Sequence, residues 1–390
     1  MLKQVYSEFN TKHFSPDRYQ KVLKEIHTRT GNPRVRMCET PVFINRTFAD
    51  EIIRGATDII QQAMALGEKL APAVAPEFRI PSAPEKPSFF IIDFAVTKDG
   101  PRLIELQAFA SNLVFIPMVG KMYKDIYQLG DEYSYLLSTT AEAAIKKTIL
   151  GHHAPENVIL MEINPWEQQS QRDFVATQKW LGIPVVDVTD VIKKGRQLFY
   201  RDQQGNDIRI HRIYNRVIPT EFQSLQLSKK TRFKFTDELD VEWVGDPSWF
   251  LKISKYAMPY LDHPMVPETT FLDQVKEYPD NLENYVLKPV SFNAGIGVKL
   301  NITKEDLDAV PSSQRHGYIL MRKVSFAPFI PDLKGNMLNA EIRVMFVWPD
   351  KLVLVAMSAR VMHGNDTNAS LWGDDAWCGM APVLIVDQEE

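Results

Sequence analysis

The sequence predicts a mixed α/β and α+β protein, and three runs carry that prediction. Ser88 to Thr97 (SFFIIDFAVT) and Pro101 to Gln107 (PRLIELQ) are apolar, β-rich segments on either side of the turn signal Lys98-Asp99-Gly100, which together read as a hairpin. From Asn157 the pattern becomes strand, helix, strand: NVILMEI, a helical stretch from Gln168 to Leu181, Gly182 where the helix stops, and then IPVVDV. That succession is a βαβ unit of an open α/β sheet. Toward the carboxyl end, Gly317 to Val324, Ala340 to Trp348 and Lys351 to Arg360 alternate like an antiparallel sheet, with Pro349-Asp350 turning between the last two.

The remaining elements fall in order around these runs. Ser15 caps a helix to Thr30, with Pro16 at its first position and Tyr19, Val22, Leu23 and Ile26 on one face. A longer helix runs from about Thr47 to Leu70 and ends before the prolines of APAVAPEF. After the βαβ unit, GRQLFYRDQQGNDIRIHRIYNRV reads as a hairpin-like pair turning at Gln204-Gly205-Asn206, and the pattern shifts again at Gly245-Asp246-Pro247. Three units follow: 1–150, 151–245 and 246–390. The length of 390 residues accommodates two or three.

Composition excludes several classes. With 45% hydrophobic and 24% charged residues and a formal net charge of -4, the chain has no basic excess for nucleic acid and no acidic tail. Cys38 and Cys378 have neither metal nor redox spacing. The first twenty residues lack the apolar core of a signal peptide and no window has the apolar length of a membrane span, so a cytoplasmic protein without a membrane partner is expected.

The most informative stretch is Tyr285 to Leu300, YVLKPVSFNAGIGVKL. An apolar strand delivers Lys288 into a polar loop containing Asn293, Gly295 and Gly297. An ammonium beside backbone N–H groups that glycine lets turn outward suits a polyphosphate; the alternative is a simple glycine turn with a solvated lysine. Lys255, in a helix-like segment, can neutralise a second phosphate or be solvated. In the 88–107 hairpin, Asp93 faces a strand carrying Glu105 and Gln107 two residues apart, hence on one face. Such an oxygen set suits Mg²⁺ shared with nucleotide phosphates, unless both carboxylates merely lie on the surface of the hairpin. Glu341 and Arg343 again share a strand face, either as metal or ribose and phosphoryl ligands or as members of cross-strand ion pairs. Arg360 leads into a polar loop offering Asn365, Asn368 and Ser370. Arg212, Tyr214 and Arg216 alternate on one face, which suits either a carboxylate clamp or solvated strand arginines. His152-His153 is set aside as a metal site, because neighbours in a strand face opposite ways and no third ligand has suitable spacing.

VLKP with AGIG, the later E-I-R strand and the D-F hairpin closing in E-L-Q together resemble the ATP-grasp superfamily. Their order, with the acidic hairpin far upstream of the lysine–glycine segment, resembles its circularly permuted branch, similar to glutathionylspermidine synthases and eukaryotic-type glutathione synthases. The resemblance implies a permuted ATP-grasp fold with an inserted Rossmann-like pre-grasp domain at 151–245. It also implies an ATP-dependent carboxylate–amine ligase working through an acyl phosphate on small carboxylate and amine substrates such as amino acids, peptides or polyamines. ATP and Mg²⁺ are the implied cofactors. Asp93, Glu105 and Gln107 would hold the metal; Lys255, Lys288, Asn293, Gly295, Gly297 and Glu341 would hold the nucleotide; Arg343, Arg360 and Asn368 would stabilise the transferred groups. Gln107 stands where the superfamily commonly has Asn. A phosphotransferase and a non-catalytic nucleotide-binding protein are the rival readings.

Overall fold

A computed structural model describes residues 2–31, 35–81, 83–134, 139–291, 297–363 and 378–387. Its largest element is an eight-stranded sheet whose central path runs, in space, Val42–Asn45, Cys378–Val386, Val353–Met362, Met337–Val347, Phe89–Thr97 and Gly100–Gln107. Only the first of these pairings is parallel. Phe89–Thr97 lies in the interior of the sheet and is buried along nearly its whole length, which is why it reads as an unbroken apolar run. Helices Phe115–Tyr127 and Thr139–Leu150 cover the Val353–Met362 strand and close the main core.

A second sheet of four parallel strands runs Glu242–Val244, Arg212–Asn215, Val158–Glu162, Val185–Asp187, with its own apolar cluster. The βαβ reading describes its start: helix Gln171–Leu181 ends at Gly182, whose φ of 73° is the left-handed conformation that closes a helix most cheaply with glycine. Two three-stranded antiparallel sheets complete the fold. One holds Ile192–Lys194, Gln197–Arg201 and Asp207–Ile210; the other holds Thr269–Phe271, Tyr318–Arg322 and Tyr285–Pro289.

Several expectations are corrected. The strand at Tyr318–Arg322 does not join the Met337–Val347 strand; it pairs with the lysine-bearing strand, in a small sheet of its own. The run from Gly195 to Val217 is not one hairpin, because the chain breaks at His211 and sends Arg212–Asn215 into the parallel sheet. The long helix, capped by the Asn45 side chain on Phe48 N–H (2.9 Å), stops at Ala65 and continues to Ala73 only as a 3₁₀ turn. Lys255 opens a 3₁₀ turn, Lys255–Tyr260, rather than sitting within an α-helix. The Ser15 cap and Pro16–Thr30 helix stand as read, with Val22 and Ile26 inward.

Candidate functional site

Antiparallel register assembles the charged residues. Asp93 lies opposite Glu105 on one neighbouring strand and opposite Arg343 on the other, and Glu341 lies opposite Arg360. Directly opposed side chains project to the same face, so Glu105, Asp93, Arg343, Glu341 and Arg360 share one side of the sheet. Arg343 holds Asp93 in a bidentate fork, Nε to Oδ1 and Nη2 to Oδ2, both 2.7 Å. Arg360 donates to Glu341 Oε2 at 2.7 Å. Burial pushes Glu341 above the ordinary carboxylate range against the pull of Arg360. For Arg343 burial opposes the charge, but Asp93 outweighs it and raises the guanidinium further.

Two lysines arrive from separate elements. Ala108 N–H donates to Ile253 O (2.9 Å), which brings the 253–260 segment alongside the hairpin, and Lys255 Nζ then donates to Glu105 Oε1 at 2.5 Å. Lys288 donates to Ile104 O at 3.2 Å from the Tyr285–Pro289 strand. Both ammoniums are buried. Burial, reinforced by Lys255, pushes Lys288 down to about 8, although Glu105 and Glu341 pull the other way. Burial raises Glu105, but Lys255, Lys288 and Arg343 together leave it below its ordinary value. Leu287 and Lys299 exchange backbone hydrogen bonds; Gly297 has φ 74°, and a Cβ there would meet Pro289 Cγ at 3.0 Å. Asn293, Gly295, Asn365, Asn368 and Ser370 lie outside the described residues.

The oxygen donors test the expected Mg²⁺ set. Glu105 and Gln107, two residues apart on one strand, supply hard oxygens on one face, the donor chemistry of Mg²⁺, whereas Glu341 lies two strands away across Phe89–Thr97 and does not cluster with Asp93 and Glu105 at ligand distance. Asp93 does not fit as expected, because Arg343 occupies both of its oxygens. Its geometric task is to orient that guanidinium.

A second buried charge group lies where sequence reasoning placed only Arg216. The first strand of the parallel sheet, Val158–Glu162, sends its connection one way to Val185–Asp187, while Arg212–Asn215 lies on its other side. That divergence is the switch point at which open α/β sheets receive ligands, beyond the carboxyl ends of the strands. There Arg216 pairs with Asp173 at 2.9 Å, both buried. The other Asp173 oxygen accepts from Val114 and Phe115 N–H, at 3.0 and 2.9 Å, capping the Phe115–Tyr127 helix. Burial pushes Glu162, at the strand end, up to about 8 against the attraction of Arg216. Arg172 is buried as well, and burial, with repulsion from Arg216 and Arg343, lowers its pKa against the attraction of Asp173. The clamp expected from Arg212 and Arg216 does not form: Arg212 binds Ile149 O, Thr148 O and Glu242 at the opposite end of the strand. Glu162 and Asp173 were missed. A carboxylate ending a wholly apolar strand was the available signal for the first; the second had none.

No family model and no curated protein matches the chain. Among solved structures, a glutathione synthetase-like effector from Globodera pallida in its apo form superposes with a TM-score of 0.60 at 12% identity, over 96% of this chain and all of that one. A protein provisionally described as a gamma-glutamylcysteine synthetase from Methylobacillus flagellatus matches at TM-score 0.37 and 10% identity, over 80% of this chain and 84% of that one. The first comparison shows a shared fold, a mixed α/β architecture of the glutathione synthetase-like kind. Among the described residues no helix is long and apolar enough to cross a membrane.

Proposed function

We propose that the protein is an ATP-dependent carboxylate–amine ligase of the circularly permuted ATP-grasp type. The observation that carries this reading is the convergence of two buried ammonium groups, Lys255 and Lys288, on the Glu105 end of the acidic hairpin. Buried cations are costly unless a compensating charge meets them. Here Lys255, Lys288, Arg343 and Arg360 face Asp93, Glu105 and Glu341, leaving one cation in excess for an anionic ligand. The fold shared with a glutathione synthetase-like protein supports the same class.

In this reading an oxygen of the substrate carboxylate attacks the γ-phosphorus of ATP and ADP leaves. The amine nitrogen of the second substrate then attacks the acyl carbon, inorganic phosphate departs, and the nitrogen gives up a proton. Lys255 and Lys288 neutralise the nucleotide phosphates, and Asn293, Gly295 and Gly297 would cover them and exclude water. Arg343, held by Asp93, and Arg360, held by Glu341, meet the charge that develops on the transferred groups. Asn368 contributes from the loop after Arg360. Glu105 and Gln107 would hold Mg²⁺, which when bound supplies further neutralisation of the phosphate oxygens. The carboxylate and amine substrates, amino acids, peptides or polyamines, would be read by the 151–245 unit.

A second reading, a non-catalytic nucleotide-binding protein, is favoured by two observations: Arg343 takes both oxygens of Asp93, and Gln107 stands where the superfamily commonly has Asn. ADP release from Mg-ATP, measured with carboxylates and amines singly and in pairs, separates the readings. Release that needs one of each, and is lost in Lys288→Ala, supports the ligase. ATP binding by calorimetry without turnover supports the binder, release with a hydroxyl acceptor alone supports a phosphotransferase, and absence of ATP binding overturns all three.

A further inference from the structure

The paired histidines set aside on sequence grounds occupy a turn, not a strand. Gly151-His152-His153 follows the Thr139–Leu150 helix, and the two imidazole rings stack with centroids 4.1 Å apart and planes tilted by 36°. They therefore sit on the same side of the chain. Glu242, the first residue of the edge strand Glu242–Val244, brings a carboxylate against them: its Oε1 is 3.2 Å from His153 Nε2. That nitrogen is buried against the Glu242 carboxylate. Among the described residues, His152, His153 and Glu242 alone form a trio of His, Cys, Asp or Glu donors whose ligand atoms all lie within 4.8 Å of one another.

The surroundings resemble a metal's outer shell. Arg212 binds the other Glu242 oxygen and is itself anchored on Ile149 O (3.0 Å) and Thr148 O (2.8 Å), which fixes the carboxylate's direction. A third imidazole, His211, meets the His153 ring edge-on at 5.6 Å.

We propose that His152, His153 and Glu242 bind a divalent transition-metal ion, Zn²⁺ by the chemistry of their nitrogen and oxygen donors, at the amino-terminal edge of the parallel sheet. Imidazole with carboxylate suits zinc rather than Mg²⁺ or Ca²⁺. Tetrahedral bonds of about 2.0–2.1 Å place ligand atoms about 3.3–3.5 Å apart, so the trio closes by roughly an ångström, and His152 and Glu242 are exposed enough to do so. The ion would tie the turn before Val158–Glu162 to the edge strand, across Arg212–Asn215. This site lies at the opposite end of the parallel strands from the switch-point crevice and does not depend on the ligase reading.

Chelator-stripped full-length protein, titrated with ZnCl₂ against a chromophoric chelator without nucleotide, tests the assignment. One equivalent should bind, and His152→Ala, His153→Ala and Glu242→Gln should each weaken it at least about tenfold. Glu105→Gln should leave it unchanged, and circular dichroism should match the parent in every variant. His152 is exposed, so its substitution probes the site without disturbing packing. No equivalent in the parent protein, or one that survives all three substitutions, overturns the proposal; loss only in Glu105→Gln would place the ion on the charged sheet face instead.

Discussion

The charged face of the antiparallel sheet and the charged crevice of the parallel sheet use the same kind of pair, arginine with carboxylate, and build it in opposite ways. On the sheet face Asp93–Arg343 and Glu341–Arg360 are ladder neighbours, so strand register alone sets each pair. In the crevice, Arg216 follows one strand, Asp173 comes from a helix, and the N–H groups that complete Asp173 belong to a second helix. Exposure differs as well. Arg343 and Arg360 side chains retain 23% and 28% of their accessible surface, whereas Arg216 and Asp173 retain 3% and none. On the sheet face the guanidiniums reach solvent while their carboxylate partners Asp93 and Glu341 are buried, so the arginines can meet a ligand without leaving those partners; the sealed pair is committed to holding elements together.

Removing the sealed pair should therefore cost the most. Asp173→Ala strands a buried guanidinium and uncaps a helix, and should lower unfolding free energy in urea by about 3–5 kcal/mol. A loss below about 1 kcal/mol would mean that water reaches the crevice and that the contrast is wrong. On the open face, Asp93→Asn should cost less, about 1–3 kcal/mol, and the double variant with Arg343→Met should recover part of it. A double-mutant cycle reads that coupling directly, and strict additivity would show that the two do not act as a pair.

The two groups held near pH 8 sharpen the contrast through opposite pH responses. Lys288 in the folded protein titrates at about 8 against an ordinary 10.5, so the unfolded chain binds the extra proton between those values and stability due to Lys288 rises with pH across them. ATP affinity should move the other way, falling above pH 8 as the ammonium is lost, and Lys288→Met should abolish both trends. Glu162 titrates at about 8 against an ordinary 4.5, so the folded state binds the extra proton and stability falls as pH rises from 4.5 to 8. Its slope is at most about 1.4 kcal/mol per pH unit. Stability curves for Glu162→Gln should be flatter over that range; an unchanged slope would assign the titration to another group.

Legibility followed the same division. Glu105 with Gln107 and Glu341 with Arg343 were readable because a strand's period of two puts alternate residues on one face, and that period is written in the chain. The hairpin at Phe89–Gln107, the Gly182 stop and the Ser15 cap were readable for the same reason: each is decided within a few residues by periodicity, φ or a capping oxygen. The sequence by itself thus determined which side chains share a strand face and where several elements begin or end, such as the Phe89–Gln107 hairpin and the Pro16–Thr30 helix. Tertiary structure alone decided that Asp93 turns to Arg343, that Tyr318–Arg322 pairs with the lysine strand, that Asp173 seals Arg216, and that Glu242 meets His152 and His153. Those choices join residues tens to hundreds of positions apart, where the balance of burial cost against charge pairing is set by neighbours that no local pattern specifies.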